Sequence, residues 1–290
     1  HGWSLVAADL CAALAGVAIP QVGSMIRARW AHLLDDDGLH TAFAVESIAD
    51  EVVYVVGPAL VTVLSTMFLA QTGLLVALVV GTFGPLVLAA QRGTEPPAHP
   101  RQPLAETARL PWRALVPLTL STASLGALFG AMDVATVAFC TDVGHRGASG
   151  WILAVLSFGS LLAGLVTGAR TWRTPVLRRF QVGMATLSVS FVLLTQTHSL
   201  WVLGPLMFLA GFAIAPTLIA GFSLLEAVTP RARLTEALGF LQTGISAGIA
   251  PGAYLAGVVA DHAGGATAYW VCVASGTLAT AAAFATRDQR

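Results

Sequence analysis

The sequence predicts a multi-pass bundle of membrane-spanning α-helices, and three observations predict it: an extreme composition, a succession of long apolar windows, and arginines gathered on one side of those windows. Of 290 residues, 56% are hydrophobic and only 10% charged, and the mean hydropathy is +0.77, which excludes an ordinary water-soluble domain. A helix needs about 20 mostly apolar residues to cross the hydrocarbon. The windows show no alternation of polar and apolar residues, so a β-barrel is not expected.

Nine windows follow one another, approximately 4–29, 43–68, 72–91, 113–140, 150–169, 179–197, 201–226, 236–260 and 267–286. The first ends at Arg27 and Arg29, and the Asp35–Gly38 run DDDG reads as a solvated turn before the second. A short break at Gln71 separates the second from the third, which stops at Arg92. Between Arg92 and Pro111 five prolines and several charges make a linker that cannot join a packed helix. The remaining six windows are divided by His145-Arg146, by the run from Arg170 to Arg179, by His198, by Arg231-Arg233 and by His262. All seven tryptophans fall at or just beyond window ends, where an amphipathic ring prefers the headgroup level.

Charge by position fixes the orientation. All 15 basic residues are arginine, balanced by 15 acids, so the net charge of zero points to no nucleic-acid partner. With the C-terminus in the cytoplasm every arginine except Arg146 lies inside, as the positive-inside rule requires of a protein of the plasma (inner) membrane. Miscounting one central span would destroy that split, because every later loop would change sides.

The chain also repeats itself. LAGVAI at Leu14–Ile19 returns as LAGFAI at Leu209–Ile214, and the same offset of 195 pairs Leu39 with Leu234, Ala42 with Ala237, Gly81 with Gly276 and Arg92 with Arg287. This reads as duplication: a partial first half over 1–91, a cytoplasmic linker over 92–112 and a complete six-helix half over 113–290. The first three windows match the last three, so three further spans are expected before His1, that is, an N-terminal truncation.

Two six-helix copies in parallel orientation around a cytoplasmic linker resemble the major facilitator superfamily of secondary transporters, in whose count these windows are helices 4 to 12. PQVGSMIRARW (Pro20–Trp30) and ESIADEVVYVVGPAL (Glu46–Leu60) look like helices 4 and 5 of actinobacterial efflux-type members, and all-arginine basicity fits a GC-rich genome. Gly57-Pro58 resembles the core of the helix 5 motif of drug/proton antiporters without its surrounding glycines. Gly164, Arg170 and Arg173 resemble the second-copy loop motif, with Gly168 where that motif has Asp. Pro20, Gln21 and Gly23 stand where some antiporters carry a helix 4 arginine.

The chemistry-bearing residues are few. Glu46, Asp50 and Tyr54 recur at helical spacing, with Glu51 about 100° round from Asp50. A charge at bilayer depth costs roughly 2.5 to 3.5 kcal/mol, so these acids are substrate or proton candidates, the alternative being structural contacts to loop arginines. Their repeat partners are Leu241, Ile245 and Ser246, so no shared scaffold demands them. Asp133 is the one carboxylate inside the fourth window, and the resemblance places that helix beside the central cavity, where it would meet substrate or proton. Gln21, Ser24 and Thr217 offer neutral polar contacts to a ligand or to other helices. Gly244, Gly248 and Gly252, like Gly164 and Gly168, form small faces for close helix contact, expected at the moving interface between halves. Cys11, Cys140 and Cys272 lie in apolar segments and make no metal or disulfide set, no histidine spacing suggests a metal, and no catalytic constellation appears.

The sequence therefore predicts a transporter rather than an enzyme, without cofactor, whose partners are a small-molecule substrate, protons and the bilayer. The favoured version is proton-coupled efflux of a small organic molecule or drug by alternating access; uptake or exchange of a sugar or metabolite, and a non-transporting membrane scaffold, are the alternatives. The orientation has a direct check. A cysteine introduced beside Arg146 is expected to react with an impermeant reagent from outside and one beside Arg231 is not; labelling of both from one side overturns the nine-span topology.

Overall fold

In the computed structural model, which describes residues 22–69, 71–96, 109–170, 172–230 and 233–286, the described chain is helical with no strand. The helices are α1 (Val22–Leu33), α2 (Asp36–Met67), α3 (Thr72–Ala90), α4 (Trp112–Asp142), α5 (Ser149–Ala169), α6 (Val176–Leu194), α7 (Leu200–Gly211), α8 (Ile214–Val228), α9 (Leu234–Ala263) and α10 (Gly265–Ala285). Seven stretches of the described residues are long and apolar enough to cross a membrane, with α7 and α8 counted as one. The window over 4–29 lies mostly outside the described residues.

Two boundaries differ from the sequence reading, each for a local reason. The run DDDG is a helix start: Asp35 is the N-cap of α2 and its Oδ1 accepts from the Gly38 N–H at 2.9 Å. An Asp cap followed by acids in the first turn satisfies free N–H groups and complements the helix dipole, so α2 begins seven residues before its apolar window. The seventh window is interrupted. At Phe212 and Ala213 the N–H groups donate to carbonyls three residues back, Leu209 and Ala210, and α8 restarts at Ile214. Pro216 contributes to the break: it has no N–H for the Phe212 carbonyl, and in the first turn of α8 that N–H is not needed.

Lipid explains what covers the rest. α3 is apolar throughout, yet Gly73 is its only buried residue, and Leu74, Leu78 and Phe83 are each more than 60% exposed. Such a surface suits lipid or further apolar helices packed against it, and not water. Tryptophans 112, 151, 201 and 270 are exposed within the first two turns of α4, α5, α7 and α10, near helix ends, where an indole suits a headgroup boundary.

Packing is densest between α4 and α9, and α4 also packs along α10. α10 in turn packs on α6, α6 on α8, and α5 on α7, so that α4 to α10 form one bundle, while α2 reaches it through α5 and α1 through α9. The α4–α9 contact is made by backbone. A Cβ at Gly126 or Gly130 would stand 2.0 Å from the carbonyl oxygens of Ile245 and Ile249, and one at Gly248 or Gly252 1.9 Å from those of Ala123 and Ala127. Gly244 faces Thr119 and Thr122 of the same helix. Reciprocal approach of this kind is the packing available where lipid removes any hydrophobic drive between helices.

The glycine face on α9 is therefore turned to α4, within the bundle, rather than towards α1–α3 as the sequence reading expected. Gly164 likewise meets Ala215 of α8, while Gly168 is half-buried. Gly57 has nothing within 4 Å, and the side chain of Pro58 lies outside the described residues. Gly248→Ala should force α4 and α9 apart and destabilise the protein by about 2 kcal/mol or more, whereas Gly81→Ala, with open space around it, should be neutral or stabilising. Thermal unfolding of the two variants in detergent measures the difference.

Candidate functional site

The candidate site forms where α1, α2 and α8 meet. Arg27 and Arg29 are two residues apart on α1, so their side chains leave the helix about 200° apart, and both are buried, at 6% and 8% exposure. Arg27 Nε donates to Glu46 Oε2 at 2.7 Å, and an Nη nitrogen lies 3.7 Å from Asp50 Oδ2. Glu46 and Asp50 are one turn apart on α2 and present both carboxylates to the same guanidinium. The other contact of Arg27 is to the face of Phe222 on α8, 3.9 Å from its guanidinium carbon to the ring centroid. One cation thus joins two acids of α2 to an aromatic ring of the α4–α10 bundle.

Glu46 uses one oxygen for Arg27; its Oε1 is buried without a well-formed hydrogen bond, as is the indole N–H of Trp30, which lies within electrostatic reach. Behind Phe222 is a void of about 10 Å³ against Thr122, Phe180 and Met184. That is barely room for one water, so the ring backs onto apolar side chains with a little slack.

Arg29 serves a different end. Its guanidinium donates to the carbonyls of Leu88 at 2.7 Å and Gln91 at 2.9 Å and to Thr94 Oγ1 at 2.8 Å. The two carbonyls belong to the C-terminal end of α3, which a cation both hydrogen-bonds and stabilises through the dipole. A corresponding cap closes the far end of the bundle: Asp142 Oδ2, at the end of α4, accepts from the Gly265 N–H at 2.7 Å and caps α10.

The sequence candidates fall into distinct groups. Glu46 and Asp50 come together on Arg27, so contact with an arginine, weighed as the alternative for these acids, is what the structure contains. The helix 4 neighbourhood that had seemed to lack a basic residue does hold a buried one, Arg27. It was missed because an arginine at a window end reads as a loop charge. The side chain of Glu51 and all of Gln21 lie outside the described residues. Ser24 is buried on α1.

Thr217 is fully buried, with its hydroxyl donating to the Ala213 carbonyl and packed so closely on Gly183 of α6 that a Cβ there would overlap it. It packs α8 closely on α6, and its hydroxyl is already engaged by a backbone carbonyl of its own helix. Asp133 stands apart from the Arg27 group on α4; the residue forms no hydrogen bond or ion pair among the described residues. The buried Cys272 thiol is within Coulombic reach of it, and one turn on, Thr136 hydrogen-bonds the buried Tyr269 hydroxyl at 3.0 Å. Among the described residues no cluster could hold a metal ion. A cleft of about 660 Å³ between the α4–α5 and α6–α7 loops is lined by residues that include His145, Trp151, His198 and Trp201, and by none of these acids.

Long apolar helices packed through glycine, with their charges confined to paired or uncovered positions, define a multi-pass membrane protein. The chain belongs to the Major Facilitator Superfamily, whose family model matches residues 118–290, and is thus a member of a membrane-transport family. Its fold is similar to the crystal structure of the human organic anion transporter MFSD10 (TETRAN), with a TM-score of 0.69 and 16% identity over 91% of this chain and 67% of that one. A bacterial homolog of the human lysosomal transporter Spinster aligns over 86% of this chain and 68% of its own, with 19% identity and a TM-score of 0.40. No curated protein matches it in sequence.

Removing one partner of a buried ion pair costs about 3 to 5 kcal/mol, because the other charge is left uncompensated. Glu46→Gln should therefore lower stability markedly, and the further change Arg27→Gln should recover part of the loss. A double-mutant cycle by chemical unfolding in detergent should give a coupling above about 1 kcal/mol; a value near zero would show the pair to be energetically idle.

Proposed function

We propose that the chain is the transporting part of a secondary active transporter that works by alternating access and drives efflux of a small organic molecule with protons. The observation that carries this reading is the placing of Arg27: held by two carboxylates of α2, it meets α8 of the α4–α10 bundle at the face of Phe222, with no ion pair to that bundle among the described residues. Two rocking halves need such a junction, firm on one side and separable on the other. With the C-terminus inside, it lies at the cytoplasmic face, where it closes the inner end of the path.

Asp133 is the proposed proton and substrate carboxylate. Its lack of a partner among the described residues supports this, since an acid already committed to an arginine cannot easily exchange a proton. The break between α7 and α8 supports it as well, because irregular backbone inside a membrane is tolerated where it faces protein or a wet cavity. On this reading 1–91 and 113–290 are the moving halves and 92–112 the tether. Glu46 and Asp50 set the junction, and proton exchange falls to Asp133.

The test is flux of fluorescent organic cations and anions in proteoliposomes, with and without an imposed pH gradient. Asp133→Asn should reduce gradient-dependent flux at least tenfold while leaving the unfolding temperature near wild type, and Asp50→Asn should have a smaller effect. Glu46→Gln should act mainly through stability. Normal gradient-driven flux in Asp133→Asn would remove the proton role from this residue, and accumulation in the opposite sense would turn efflux into uptake.

A further inference from the structure

The α5–α6 junction carries positive charge that no ion pair among the described residues neutralises. Arg170 and Arg173 lie in the loop and Arg178 and Arg179 in the first turn of α6, all within ten residues, and no Asp or Glu occurs anywhere between Asp142 and Glu226. At its centre is Trp172, 40% exposed and anchored by its indole N–H to the Thr167 carbonyl at 3.1 Å. The guanidiniums of Arg170 and Arg179 lie 5.2 and 4.9 Å from its ring centroid. Two like charges share one ring, and Arg179 is poorly hydrated as well, its Nη2 being buried without a hydrogen-bond partner among the described residues. Two cations held against one ring repel each other, and an anion bound to their guanidiniums would offset that repulsion.

We infer that this loop binds the phosphate of an anionic phospholipid. Guanidinium pairs match a phosphate's oxygens in geometry as well as charge. A lipid rather than a free phosphate is indicated by what lies beneath: Leu165 and Val166 on α5 and Val182 on α6 are exposed apolar side chains leading from the loop into the bilayer, a path for an acyl chain. Trp172 sits between the charged and apolar parts, where an indole fits a headgroup boundary. In the proposed orientation the site faces the cytoplasmic leaflet, whose anionic lipids attract clustered basic residues.

The experiment uses the full chain in uncharged detergent, titrated with phosphatidylglycerol, phosphatidylcholine or inorganic phosphate while its unfolding temperature is followed. Phosphatidylglycerol should raise the midpoint by several degrees, and the other two should not. The shift should fall by more than half in Arg170→Gln/Arg179→Gln and in Trp172→Ala, and persist in Arg113→Gln, which alters another exposed cytoplasmic-side arginine. Native mass spectrometry of the wild-type protein gives a readout that does not depend on the variants folding: phosphatidylglycerol should survive as a bound adduct more often than phosphatidylcholine at equal concentration. Equal retention of the two lipids, an equal shift with inorganic phosphate, or an equal loss in Arg113→Gln would overturn the proposal.

Discussion

The backbone contact between α4 and α9 is the constraint on which the rest of this structure depends. In a bilayer an apolar side chain gains little by leaving lipid for another helix, so stability must come from closeness, and four glycines bring these two helices to carbonyl contact. Fixed there, α4 becomes the stave to which α10 is also tied. Ser121 donates to the Ala279 carbonyl at 2.8 Å, Thr136 pairs with Tyr269, and Asp142 caps Gly265. Each of these satisfies a polar group that would otherwise be stranded in a low-dielectric interior. Together they hold the helix carrying Asp133 rigid along its length.

Arginine is used against the same constraint at the other end. Arg27 and Arg29 are both buried, yet each charge is met by a different kind of partner: carboxylates for one, the spent C-terminus of a helix for the other. The difference follows from helical geometry, since two residues along α1 place the side chains on nearly opposite faces. The R-A-R triplet therefore ties α1 both to α2 and to α3, and three helices with little mutual burial are held by directed polar bonds in place of a hydrophobic core.

How far this was legible depends on whether a feature is local. The apolar windows found the helices because bilayer thickness sets their length, and eight of the nine windows coincide with described helices to within a few residues except where a cap or a proline intervened. Asp35 and Pro216 were both visible in the sequence; the first was read as a turn because acids suggest solvent, and the second was overlooked inside an unbroken apolar run. The spacing of Gly244, Gly248 and Gly252 announced a close helix contact but could not name α4 as its partner, for the complementary Gly126 and Gly130 declare themselves only in three dimensions. Arg27 is the extreme case. Its charge was counted for orientation, and nothing along the chain marks an arginine at a helix end as buried.

The bonds to Arg27 are unequal, and the inequality has a direction. Towards α2 the guanidinium has a short charge-assisted hydrogen bond and a second carboxylate, while towards α8 it has only a ring face, an interaction worth about 1 to 2 kcal/mol. A carboxylate in place of Phe222 would make both sides comparable, and opening the junction would then strand a charge. With an aromatic ring, separation leaves every ion pair intact and exposes one apolar face. Under alternating access the arginine would stay with the first half throughout the cycle, and the closed state would be favoured over the open one by an amount that a bound substrate or proton can reverse. At the 195-residue offset the positions answering to Glu46 and Asp50 are Leu241 and Ile245, so if the repeat is a duplication only its first copy would carry these acids, and the second would be left to meet the arginine through a ring.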